Sequence, residues 1–70
     1  MTIQEAMQKL RVNRDPMLAL RLHDILRFKY RMNYEDQCEM YRKANNLDVQ
    51  TAKEEWEDHM QEAEEVASWS

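Results

Sequence analysis

Cys38 is the only thiol in this chain, and His23 and His59 are its only imidazoles. A cysteine nucleophile needs a base within hydrogen-bond reach to generate the thiolate. These three residues fall on three different predicted helices, and no spacing draws either histidine to the thiol. Cys38 is therefore expected as a small apolar residue on a packed helix face, the usual place of a free cysteine. No catalytic residue is assigned, and the chain is expected not to be an enzyme.

A metal site is the next chemistry to weigh. Glu55, His59 and Glu62 are spaced i, i+4 and i+7, which puts two carboxylates and an imidazole near one helix face. A di-metal carboxylate bundle needs Glu-x-x-His on two helices. Here Trp56 stands three residues before His59, and no second such motif exists. Zinc spacing of Cys and His is absent as well. No metal and no other cofactor is expected. His59 is expected at the border of an apolar stripe and an acidic flank, where the carboxylates would raise its pKa and make packing pH-sensitive.

Two stretches invite a nucleic-acid reading. The segment from helix three through the Asn45–Asp48 turn into helix four has helix-turn-helix proportions, with Gln50, Thr51 and Lys53 opening the second helix. A recognition helix lies among phosphates. Glu54, Glu57 and Asp58 follow at once, and like charge opposes the term that supplies most non-specific affinity. The other stretch, Arg21 to Arg31, interleaves basic residues with Phe28 and Tyr30. Cations beside aromatics can hold single-stranded nucleic acid. Both rings are expected to be claimed by packing, so a solvated basic flank is the simpler reading. A helix-turn-helix-like binder using Gln50, Thr51, Lys53 and that flank is the alternative function.

Charge itself is unevenly spread. Residues 1–33 carry a formal +4 and residues 34–70 a formal −8, for a net −4. One end attracts what the other repels, including a second copy of the chain. Seventy residues bound the chain to one helical domain, 1–70, with a marginal core. A lone cysteine excludes an internal disulfide, which leaves helix packing or oligomerisation as the stabiliser. One unpaired thiol and no secretory segment point to a cytoplasmic setting, and no apolar run is long enough to span a membrane.

The elements that would position these residues are helices. The chain has no glycine, on which tight hairpins and phosphate-cradling loops lean. Thr2 and Glu5 form a capping box for a first short helix with the stripe Ile3, Met7, Leu10, which exits at Val12–Arg14. Asp15-Pro16 opens helix two, which runs to about Met32. Leu18, Leu22, Ile25 and Leu26 are its main stripe, widened by Met17, Ala19, Phe28, Tyr30 and Met32, as a central helix would need. Asn33 caps helix three, which carries Tyr34, Cys38 and Tyr41 and ends at Asn45-Asn46. Asp48 caps helix four, where Val49, Ala52, Trp56, His59, Ala63 and Val66 recur at steps of three and four. The tail from Ser68 to Ser70 is expected to fray unless Trp69 docks.

The predicted fold is thus an all-α bundle of three longer helices preceded by a short one. Helices three and four form an antiparallel hairpin across helix two. The expected core is Met7, Leu10, Leu18, Leu22, Ile25, Leu26, Phe28, Cys38, Tyr41, Leu47, Ala52, Trp56 and Ala63. The leading functional expectation is a non-enzymatic interaction module, a regulator, adaptor or inhibitor. It would dock on the basic surface of another protein, or on a second copy as a homodimer, by charge complementarity. Its contact residues would be Lys53, Glu54, Glu57, Asp58, Glu62 and Glu65 on helix four, with Arg27 and Arg31 on helix two. Leu20, Met60 and Trp69 would be exposed apolar anchors. Short acidic chains of this size are familiar among accessory proteins of phages and mobile elements, an analogy of size and charge alone.

Overall fold

In the computed structural model, residues 1–69 are described, and four α-helices form among them. They are α1 (Ile3–Asn13), α2 (Pro16–Asp24), α3 (Tyr34–Asn45) and α4 (Val49–Trp69). Each begins where a side chain can take up an orphan amide. Thr2 Oγ1 accepts from the Glu5 amide at 3.1 Å, Asp15 from Met17 at 3.0 Å, Asn33 from Asp36 at 2.8 Å and Asp48 from Thr51 at 3.1 Å. All four caps are the ones the sequence marks.

The helix ends are less orthodox, because no glycine is present to take a left-handed conformation. Arg14 (φ 52°), Arg31 (φ 56°) and Asn46 (φ 54°) take it instead. Asn tolerates that region; an arginine is held there at a cost of roughly 1–2 kcal/mol. Helix two departs most from expectation. It winds into a π-helical turn over Ile25–Lys29, with the Tyr30 amide donating to the Ile25 carbonyl at 3.2 Å. The chain then reverses at Arg31, and the Met32 amide returns to the Leu26 carbonyl at 2.8 Å. The expected run to Met32 therefore stops short.

No helix is central. The principal contacts are α2 on α4, α4 on α3, α3 on α1 and α1 on α2, which close a ring of four. This corrects the expectation that α3 and α4 lie across α2. The 21 residues of α4 would span about 31 Å at an α-helical rise, close to the 33 Å long dimension of the whole chain. Side-chain amides pin α1 to α3: Gln8 donates to the Ala44 carbonyl at 3.0 Å, and Asn45 donates to those of Met7 and Tyr41, each at 3.3 Å.

Met7, Leu10, Leu26, Tyr41 and Trp56 meet inside the ring, each fully buried, together with Leu22. Alanines 6, 19, 52 and 63 are buried between them, small enough to let the helices approach. Tyr41 packs on Trp56 with ring centroids 5.5 Å apart and on His59 at 5.4 Å. Of the expected core, Leu18, Ile25, Cys38 and Leu47 are only half-buried, and Phe28 is 69% exposed. The reason lies in helix geometry. Leu26 is buried, and residues two apart on a helix do not share a face, so Phe28 turns outward. Val49, placed first on the α4 stripe, is also exposed.

Candidate interaction surfaces

The side of α4 that faces α1 and α3 holds a polar network in the core. The Tyr41 hydroxyl donates to Glu55 Oε1 at 2.8 Å and lies 3.0 Å from His59 Nε2. Arg11 makes a two-point contact with the Glu55 carboxylate, at 2.9 and 3.2 Å, which holds that carboxyl below its ordinary pKa. Since Tyr41 has one proton and gives it to Glu55, the proton in the His59 contact must sit on His59 Nε2. His59 Nδ1 is then a bare acceptor, buried without a hydrogen-bond partner among the described residues, as is Trp56 Nε1.

This overturns the expectation of a boundary histidine with a raised pKa. His59 is almost wholly buried, and burial pushes its pKa down, with the Arg14 charge adding to the fall. Nor do Glu55, His59 and Glu62 converge on an open site. Glu55 is held by Arg11 and Tyr41, His59 by Tyr41, and Glu62 by Arg14 at 3.0 Å. Among the described residues no group of three or more His, Cys, Asp and Glu side chains is placed to hold a metal ion.

Gln37 is the functional-looking residue that sequence reasoning missed. It is buried, with its carbonyl oxygen 2.9 Å from His23 Nδ1 and its amide donating to the Met32 carbonyl at 3.1 Å. It thereby ties the reversed chain end to both helices. Its position four residues before Tyr41, on the same α3 face, was the available signal. Cys38 is half-buried beside Tyr34. Burial pushes the Cys38 thiol up and the Tyr34 hydroxyl to about 12.

The outward side of α4 is different. Lys53, Glu54, Glu57, Asp58, Glu64 and Glu65 are all exposed. Gln50 donates to Glu54 at 2.9 Å, but no ion pair reaches Glu57, Asp58, Glu64 or Glu65 among the described residues. Glu62, a member of the predicted contact set, is paired with Arg14. So the charge split is met in part within one chain, through Arg11 of α1 and Arg14 just after it. Leu20 and Met60 are half-buried against the core rather than exposed anchors. Trp69 closes α4 and is 78% exposed, neither docked nor frayed. Ser70, the last residue of the expected frayed tail, lies outside the described residues.

The π-helical turn and the reversal after it present a second, basic surface. Phe28 and Tyr30 are exposed, with the Arg27 guanidinium 5.4 Å from the Phe28 ring and the Lys29 ammonium 5.7 Å from the Tyr30 ring. Arg31 is exposed next to them. The expectation that packing claims both rings is thus corrected. In the helix-turn-helix reading, Gln50 and Lys53 are exposed, Thr51 is half-buried, and the acidic residues follow on the same helix.

Compared with protein-family models, with curated proteins and with solved structures, the chain matches none. No helix among the described residues is long and apolar enough to cross a membrane.

Proposed function

We propose that this chain is a non-enzymatic interaction module that docks on a basic protein surface through the outward face of α4. One observation carries the reading: α4 divides its acids. Glu55 and Glu62 are neutralised by Arg11 and Arg14, while Glu57, Asp58, Glu64 and Glu65 stand exposed without an ion pair among the described residues. Residues 54 to 65 span about 16 Å of helix, long enough to steer and register a partner of opposite charge. Glu54→Lys with Asp58→Lys reverses two neighbours on that face. Used as bait in an extract of its own cells, the variant should lose the proteins that the natural chain retains at equal salt. Unchanged helical circular dichroism would show that the fold survives. Retention of the same proteins by both baits would reduce the acidic face to a solvated surface.

A second reading is favoured by the exposure of Phe28 and Tyr30 beside Arg27, Lys29 and Arg31. These rings can stack on bases while the cations meet phosphates, the chemistry of single-strand binding. Fluorescence anisotropy of a labelled single strand in about 50 mM salt tests it where non-specific binding is strongest. Binding lost on Phe28→Ala and Tyr30→Ala would replace the acidic-face reading; no binding at that salt would remove the alternative.

A further inference from the structure

A third surface runs along α2 and shares only Phe28 with the two readings above. α2 packs on α1 and α4, and its opposite side is uncovered. Met17, Arg21 and Asp24 lie there at i, i+4 and i+7, one α-helical stripe, and Phe28 follows a turn further on in the π-helical segment. All four are exposed, Met17 by 58% and Phe28 by 69%. Half-buried Leu18, Leu20 and Ile25 border the stripe. Together with Asp15, Met17, Arg21 and Asp24 they line a shallow groove of about 480 Å³. Neither Arg21 nor Asp24 makes an ion pair among the described residues.

The order along the stripe is apolar, cation, anion, apolar. It is self-complementary about the midpoint between Leu22 and His23. Arg21 and Asp24 are equally far from that point, and Met17 and Phe28 lie the same number of residues to either side of it. An antiparallel two-fold contact would therefore set Arg21 level with Asp24 of the second copy, and bring Met17 towards the end that carries its Phe28. Isologous association requires this kind of pattern, a patch that complements itself. The charges at the centre would pair twice, and a thioether against an aromatic ring is a favourable contact at each end. On one edge Ile25 would border Leu18 of the second copy.

We propose that α2 is the interface of a two-fold homodimer, with Arg21 and Asp24 as reciprocal ion pairs between copies. The stripe is about 16 Å long, a single helix face, so the dimer belongs to the small, weak class of interface with micromolar dissociation. It leaves the outward face of α4 free, so it stands whether or not the acidic-face reading does.

Sedimentation equilibrium of the full chain over a range of concentrations tests the proposal. The natural chain should dimerise, and should stay dimeric at 0.5 M salt, roughly the range where exposed ion pairs are screened but apolar contact is not. Arg21→Asp places two pairs of acids face to face and should weaken the dimer about tenfold or more. Asp24→Arg should do the same with like cations. The double swap Arg21→Asp with Asp24→Arg restores both pairs across a two-fold axis, and should return association to within about threefold of the natural chain. Met17→Glu is an independent exposed substitution that should also abolish the dimer. Three outcomes would overturn the proposal. One is a monomer at all concentrations up to about 1 mM. Another is a double swap as weak as its single variants. The third is a dimer untouched at α2 but lost on Glu54→Lys with Asp58→Lys.

Discussion

α4 is two helices in one: its inner side and its outer side carry the same residue types under opposite rules. On the inner side Glu55, His59 and Glu62 each have a committed partner, and Trp56 is fully buried beside them. On the outer side Glu57, Asp58 and Glu64 meet solvent. The difference teaches that an acidic run is not one feature. Carboxylates that meet Arg11 and Arg14 have become part of the fold, and the others face solvent. An exposed ion pair is worth about 0–1 kcal/mol. The inner pairs therefore matter less for raw stability than for setting α1 against α4.

Breaking this division at its strongest point should give the largest effect. Trp56→Ala is expected to lower unfolding free energy by about 3–5 kcal/mol, the range for emptying a large buried aromatic site. Urea midpoints would measure it, and a loss under about 1 kcal/mol would mean that the ring is not packed as described.

Tyr41→Phe sharpens the comparison by removing one oxygen. It leaves His59 Nε2 without a partner inside the core and takes one bond from Glu55. The expected loss is about 1–3 kcal/mol, the cost of an orphaned buried polar group. A neutral result would show that water reaches the network.

Acid should attack the inner side in two steps. His59 has a folded pKa below its ordinary 6.5. Between those values the unfolded chain takes a proton that the native one refuses. Its contribution is therefore complete above about pH 6.5 and is lost as pH falls through the window beneath. Glu55, held below its ordinary 4.5 by Arg11, adds a contribution that is present above pH 4.5 and lost as pH falls through its folded value. Denaturant midpoints at pH 7.5, 6 and 5 would trace the upper step. His59→Gln should flatten it, and an unchanged slope would place the titration elsewhere.

The smallest effect belongs to the outer side. Glu57→Ala, next in sequence to Trp56, is expected to shift stability by no more than about 0.5 kcal/mol. A larger loss would mean that the outer acids also serve the fold.

Much of the fold is legible in the sequence for local reasons. A cap needs only an oxygen-bearing side chain one turn from an amide, so Thr2, Asp15, Asn33 and Asp48 mark all four helix starts. Tyr41, Trp56 and Ala63 recur at helical spacing and are buried as expected. The candidate surfaces were harder to read. Phe28 looks like core because aromatic residues usually are. It is outside because the fully buried Leu26, two residues away, takes the inward direction. His59 is a polar member of an apolar stripe, which sequence places at a border. Only the approach of Tyr41 from α3 supplies the bond that lets it be buried.

By itself, then, the sequence determined what depends on neighbours along the chain: helix starts, the main apolar stripes, an all-α class and the uneven spread of charge. Tertiary structure decided what depends on residues far apart in number. Arg11 and Arg14 choose Glu55 and Glu62, forty-four and forty-eight positions away. His59 and Gln37 are inside, and Met17, Arg21 and Asp24 of α2 face outward. Capping and periodicity are satisfied within one or two turns of backbone. Charge pairing and desolvation depend on which helices lie side by side, and the closed ring of four settles that.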